Sequence, residues 1–156
     1  MNVKEQAARL PHRKFLERLL TLHEGRTALD AKLPTSARDF IEIGAGVGGL
    51  HLRYVVGLEK TRVELYIARR EATANKRIFD ELESHKHEIE AAFGGELSQL
   101  SWERLPGSKS SRIAYRLLIG GCKGDEARWE TVQHAMIDAM TRFEKALRPF
   151  ISRLRT

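Results

Sequence analysis

Two alternating segments joined by five residues constrain this chain more than anything else in it. Leu50–Val56 sets Leu50, Leu52, Tyr54 and Val56 on one face. Arg62–Ala68 sets Val63, Leu65 and Ile67 on one face and Arg62, Glu64 and Tyr66 on the other. A period of two is that of a strand with one buried and one wet side, and GLEKT between the segments is a short hairpin connection. Phe40–Ile43 reads as a further short strand just before them. Strand follows strand here without a crossover helix, so an antiparallel arrangement is expected.

That order decides how the glycines are read. Gly44, Gly46 and Gly49 fit G-x-G-x-x-G after FIEI, and with Glu42 the stretch FIEIGAGVGG resembles the first motif of a Rossmann-type methyltransferase. The chemistry of that motif needs a helix directly after the glycines, so that its N-terminus faces the ligand. LHLRYVV follows instead. The glycines are therefore expected to form a turn between two strands, and no cofactor is expected.

The remaining elements follow from helical spacing and from punctuation. Phe15, Leu16, Leu19, Leu20 and His23 mark a helix over about 11–24, with Pro11 in its first turn. Residues 26–38 read as a loop. Ile78, Leu82, His85, Ile89 and Phe93 form one stripe of a long helix over about 71–93, closed by Gly94 and Gly95. Lys76 with Asp80 and Arg77 with Glu81 are i,i+4 pairs on its exposed side. Strands are expected over 97–105 and 112–119. A last helix runs over about 125–154, with Asp125 as N-cap and a stripe of Trp129, Val132, Met136, Met140, Phe143, Leu147 and Phe150.

The order α-β-β-β-α-β-β-α defines an α+β fold, with a mostly antiparallel five-stranded sheet and helices packed on one face. The 156 residues are expected to form a single domain, 1–156, in which 39–119 holds the sheet and central helix. At 1.5 Å per residue the last helix would span about 40 Å, against a radius of gyration of about 15 Å for a chain this long. It is expected to bend or to project. A projecting stripe would make Trp129, Met136, Met140 and Phe143 contacts for a protein partner or a homodimer.

Charge and composition bound the class. Lys and Arg number 27 against 21 Asp and Glu, a net +6 that admits an acidic partner such as nucleic acid without demonstrating one. Hydrophobic residues at 42% and charged residues at 31% exclude a disordered or fibrous chain. No apolar run reaches the ~18 residues of a membrane span, so no membrane association is expected. The lone Cys122 cannot form an internal disulfide, and a cytoplasmic location is the default expectation.

Three groups of residues carry candidate chemistry. Glu42, Glu64 and Lys76 are weak candidates for a divergent metal-dependent nuclease, in which carboxylates on neighbouring strands hold Mg²⁺. The third strand reads Glu64-Leu65-Tyr66 and so lacks the lysine of an (Asp/Glu)-x-Lys motif. Alternation places His51 and Arg53 on the open sheet face with Arg62, Glu64, Tyr66 and Arg116. Arginine and tyrosine mixed on a sheet suit phosphate contacts and base stacking, and they are equally favoured at protein interfaces. Arg142, Lys145, Arg148, Arg153 and Arg155 form a second basic cluster near the end of the last helix. Such cations also complement a helix C-terminus. His85 and His87 do not share a helix face and make a poor metal pair, and His85 is expected in the core. Cys122 beside Lys123 has no His and Asn/Asp set around it in sequence, so no nucleophile is expected there, and no metal site is expected anywhere.

Some longer stretches carry a family resemblance. VELYIARREATANKRIFDELESHKHEIEAAFGGEL, then SWERLPGSKSSRIAYRL, then the Trp129-containing helix ending FEKALRPFISRL together resemble the bacterial domain-of-unknown-function family 4268. The most specific parts are Glu64-Leu65-Tyr66-Ile67, Asn75-Lys76 with Phe79, Ile89-Glu90 with Phe93-Gly94, Trp102-Glu103 and Ser111-Arg112-Ile113. The resemblance extends from about Phe15 to Leu154. Members often lie C-terminal to a part resembling an endonuclease, which implies an accessory role near DNA, and the resemblance carries no established catalytic residues onto this chain.

The first expectation is thus a non-enzymatic accessory module associated with nucleic acid or with a nucleic-acid-processing or defence complex. Arg53, Arg62, Tyr66 and Arg116 would contact the nucleic acid, helped by Arg148, Arg153 and Arg155. The alternatives are a protein-interaction or dimerisation module without nucleic-acid binding, and the divergent nuclease.

Overall fold

The central sheet is built from the alternating segments. In the computed structural model, which describes residues 3–34, 38–94 and 100–155, β2 (Phe40–Gly44), β3 (Leu50–Val56), β4 (Thr61–Ile67) and β6 (Ser111–Leu117) run antiparallel side by side. Short edge strands flank them, β1 (Ala31–Lys32) and β5 (Ser101–Glu103), giving the order β1-β2-β3-β4-β6-β5. Ile41, Ile43, Leu50, Leu52, Tyr54, Val56, Val63, Leu65, Ile67 and Ile113 are all buried on one face. A period-two pattern with one apolar side can bury that side only in one register.

The helices α1 (Val3–Arg26), α2 (Ala72–Glu83), α3 (Lys86–Phe93) and α4 (Trp129–Ile151) cover that face. A 3-10 turn at Glu126–Arg128 leads into α4, and Asp125 caps it by accepting from the Ala127 N–H at 2.9 Å. Phe15, Leu16 and Leu19 of α1 meet the same core as Met136, Met140, Phe143 and Leu147 of α4. Gln133 ties the two helices together, donating to the Phe15 carbonyl at 3.0 Å.

Several expectations are corrected. The sheet has six strands, because residues in the expected 26–38 loop pair with Ile43 and Glu42 as β1. A two-residue strand is too short to show any periodicity. The strand expected over 97–105 is confined to Ser101–Glu103, with 97–99 outside the described residues along with Gly95. α1 begins at Val3, and Pro11 lies within it rather than in its first turn. Proline removes one N–H from the ladder, and the helix continues on both sides of it.

The central helix is two helices. The Ser84 hydroxyl donates to the Glu81 carbonyl at 2.5 Å, and His85 leaves helical geometry at φ −108°, ψ 20°. A serine hydroxyl that bonds back to a carbonyl competes with helix continuation. The break takes His85 out of the core. Its half-exposed ring lies 4.9 Å from the Phe150 ring and 3.3 Å from Glu88. The buried histidine is His23 instead.

α4 does not project. Its 23 residues span about 35 Å, and buried side chains run along it from Trp129 to Ile151. Trp129, Met136, Met140 and Phe143 are at most 3% exposed, so the four interaction candidates are core residues. The stripe is covered by the chain's own sheet and helices.

Candidate functional site on the open sheet face

No described helix packs on the other side of the sheet, and its polar side chains close over one another. Strand register places them in rows. Glu42, Arg53, Glu64, Ala114 and Ser101 lie in one cross-strand row. Gly44, His51, Tyr66, Arg112 and Glu103 form the next, and Phe40, Val55, Arg62 and Arg116 a third.

Arg53 is the centre of this face. Its zeta carbon sits 4.0 Å from the centroid of the Phe40 ring and 4.0 Å from that of Tyr66, so the guanidinium is stacked between two aromatic faces. Its Nε donates to Glu42 Oε2 at 2.8 Å, its Nη2 lies 2.6 Å from the same oxygen, and its Nη1 lies 3.9 Å from Glu64. Glu64 is only 1% exposed and accepts from the Arg62 Nε at 2.6 Å. Glu103 bridges the Arg112 Nε and the Arg116 Nη1, each at 2.8 Å. Burial alone would raise the Glu103 carboxyl. Hydrogen bonds from Arg116, Arg112 and Ser101 outweigh it and hold the group well below the usual carboxylate range, at about 2.

Four guanidiniums therefore meet three carboxylates, and every one of the four is paired. The surface is mixed in sign rather than a positive stripe. The alternation did bring Arg53, Arg62, Tyr66 and Arg116 together as expected, with His51 and Glu64. Phe40, Arg112 and Glu103 join them unforeseen. Arg112 was readable, since it lies four residues before Arg116 on the same strand. Glu103 was not, because a three-residue strand does not show which neighbour it pairs with.

The nuclease candidates do not converge. Glu42 and Glu64 flank Arg53, whose guanidinium fills the space between them that a metal ion would need. Lys76 lies in the helix layer on the far side of the sheet. Its ammonium donates to the carbonyls of Arg104, Leu105 and Ser110 at 2.6–2.8 Å and to the Ser111 hydroxyl at 3.1 Å. Asn75 beside it is fully buried. Asn75 accepts from the Arg69 N–H and donates to the Arg69 and Lys109 carbonyls. The Asn75-Lys76 pair thus clamps the β5–β6 hairpin to α2, a structural task.

The second basic cluster is separate from the sheet face. Glu144 neutralises Arg148, Arg142 lies over the Phe93 ring at 4.3 Å, and Arg153 lies over Phe150 at 5.5 Å. Arg155 is exposed beyond the helix end. All belong to the helix layer, across the core from Arg53. The remaining motifs also have local explanations. GAGVGG is the turn between β2 and β3, in which Gly46 and Gly49 have φ of 87° and 83°. A Cβ on Gly49 would fall 2.6 Å from the Arg69 Cγ. Cys122 is buried, which pushes its thiol up and away from nucleophile chemistry. Among the described residues no helix is long and apolar enough to cross a membrane.

Fold and face together define an α+β domain with a one-sided helix layer and a charge-alternating sheet surface. The chain belongs to the family described as Domain of unknown function (DUF4268), whose model matches residues 12–151. No curated protein and no solved structure matches it.

Proposed function

We propose that this domain is a protein-interaction module that docks a partner protein on its open sheet face. One observation carries the reading. Arg53 is stacked between Phe40 and Tyr66 and held by Glu42, so an arginine and two aromatics are fixed in place before any partner arrives. Arginine and tyrosine are the residues that anchor protein interfaces, and pre-ordered side chains lose little entropy on binding. The sheet edges offer a poor alternative, because β1 and β5 are two and three residues long. A long polyanion laid across this face would run over Glu42, Glu64 and Glu103, which are interleaved with the arginines.

Nucleic-acid association is the second reading. Its support is the exposed Arg153 and Arg155 beyond α4, away from the sheet face. Purification of the tagged chain, with and without nuclease treatment, separates the two. The docking reading expects a stoichiometric polypeptide that survives nuclease, is lost with R53E and Y66A, and re-forms a defined complex from purified components. A polypeptide held only while nucleic acid is intact would contradict it.

A further inference from the structure

Arg62 and Arg116 stand directly opposite each other on β4 and β6. Like charges across a strand pair repel, and such a pair is ordinarily avoided. Each guanidinium is held from one side only, Arg62 through its Nε on Glu64 and Arg116 through its Nη1 on Glu103. A guanidinium carries five N–H donors. Both Nη groups of Arg62, and the Nε and Nη2 of Arg116, have no acceptor among the described residues.

Arg62 and Arg116 both line a cavity of about 100 Å³ at the β3–β4 hairpin end of the sheet, and Lys60 and Asp39 are also among its lining residues. The side chains of Arg62 and Arg116 are 29% and 34% exposed, so the charges are partly withdrawn from water, where an anion gains more from them.

We propose that this cleft seats one phosphate dianion, free or as the monoester of a small molecule. Two guanidinium forks match phosphate oxygens in a bidentate way, and the dianion removes the repulsion between the two arginines. Asp39 on the rim sets a limit, since it disfavours a second anionic group alongside the first. The seat does not depend on the docking reading, because phosphate is added to the isolated chain.

The test is a thermal-melting titration with inorganic phosphate against sodium chloride of equal ionic strength. At ten times the dissociation constant a saturable rise of about 3–5 °C is expected for a chain of this size. R62Q and R116Q abolish the rise; each melts lower than the parent without phosphate, because Glu64 or Glu103 loses a partner, so the rise is read for each variant against its own phosphate-free melt. If R116Q fails to fold, R116K keeps the charge without the fork and binds phosphate at least about tenfold more weakly. Phenyl phosphate reproduces the effect of free phosphate. Identical melting in phosphate and chloride, or an undiminished rise in both variants, would overturn the proposal. So would tighter binding of a single-stranded oligonucleotide than of phosphate that is lost in R62Q and R116Q, since its diesters carry one charge each.

Discussion

His23 and Tyr54 show how much one buried pair constrains. The His23 Nε2 lies 2.8 Å from the Leu29 carbonyl, which only accepts, so that nitrogen carries the proton. The Nδ1 is then the acceptor for the Tyr54 hydroxyl at 2.6 Å. Burial pushes the Tyr54 phenol far up, with Arg26 pulling the other way, so it keeps the proton that it donates. Y54F leaves the imidazole nitrogen unpaired in the core and lowers stability by about 1–2 kcal/mol in urea unfolding. Glu103 gives a prediction in pH. Its carboxyl sits at about 2 in the folded chain, below its ordinary value of 4.5. Its stabilising contribution is therefore complete above about 4.5 and is lost as pH falls toward 2. E103Q removes that part of the acid dependence and costs about 1 kcal/mol at neutral pH, as read from paired melts across the window. Helical spacing placed His23 on a buried stripe, and alternation placed Tyr54 on the core face. That the two would meet was not legible, because it depends on where α1 crosses the sheet.

Among the elements, the β5–β6 hairpin depends most on one side chain. Lys76 binds three of its carbonyls from α2, so K76M leaves those acceptors without their donor. We expect a loss of about 2 kcal/mol and faster hydrogen exchange over residues 104–111, with exchange in β3 unchanged. The long strands were plain in the sequence because seven alternating residues have only one good placement. The short ones were not, since β1 and β5 owe their pairing to neighbours already in the sheet. The break at Ser84 was hidden for a different reason. Ile78, Leu82, Ile89 and Phe93 are all buried, so the apolar pattern runs through the kink without a visible fault. Asn75-Lys76 stood out as part of a family pattern, and its role became clear only when both side chains were seen to hold the same hairpin.

At the scale of the whole molecule, the net +6 is not concentrated on the sheet face. Glu42, Glu64 and Glu103 are interleaved with the arginines there, and alternation alone could reveal only part of that balance. The apolar stripe of α4 carried no free interface, because the sheet needed it to complete the core. What remains outward is a stiff surface of paired arginines around two aromatic rings. The most direct measurement of its role places a photo-crosslinking residue at His51 on that face, and in a second protein at Lys145 on the helix layer. Both are expressed at native level. Docking on the sheet face predicts one discrete protein adduct from position 51, none from position 145, and loss of the adduct when R53E is added. Equal protein adducts from both positions, or nucleic acid as the adduct at position 51, would contradict it.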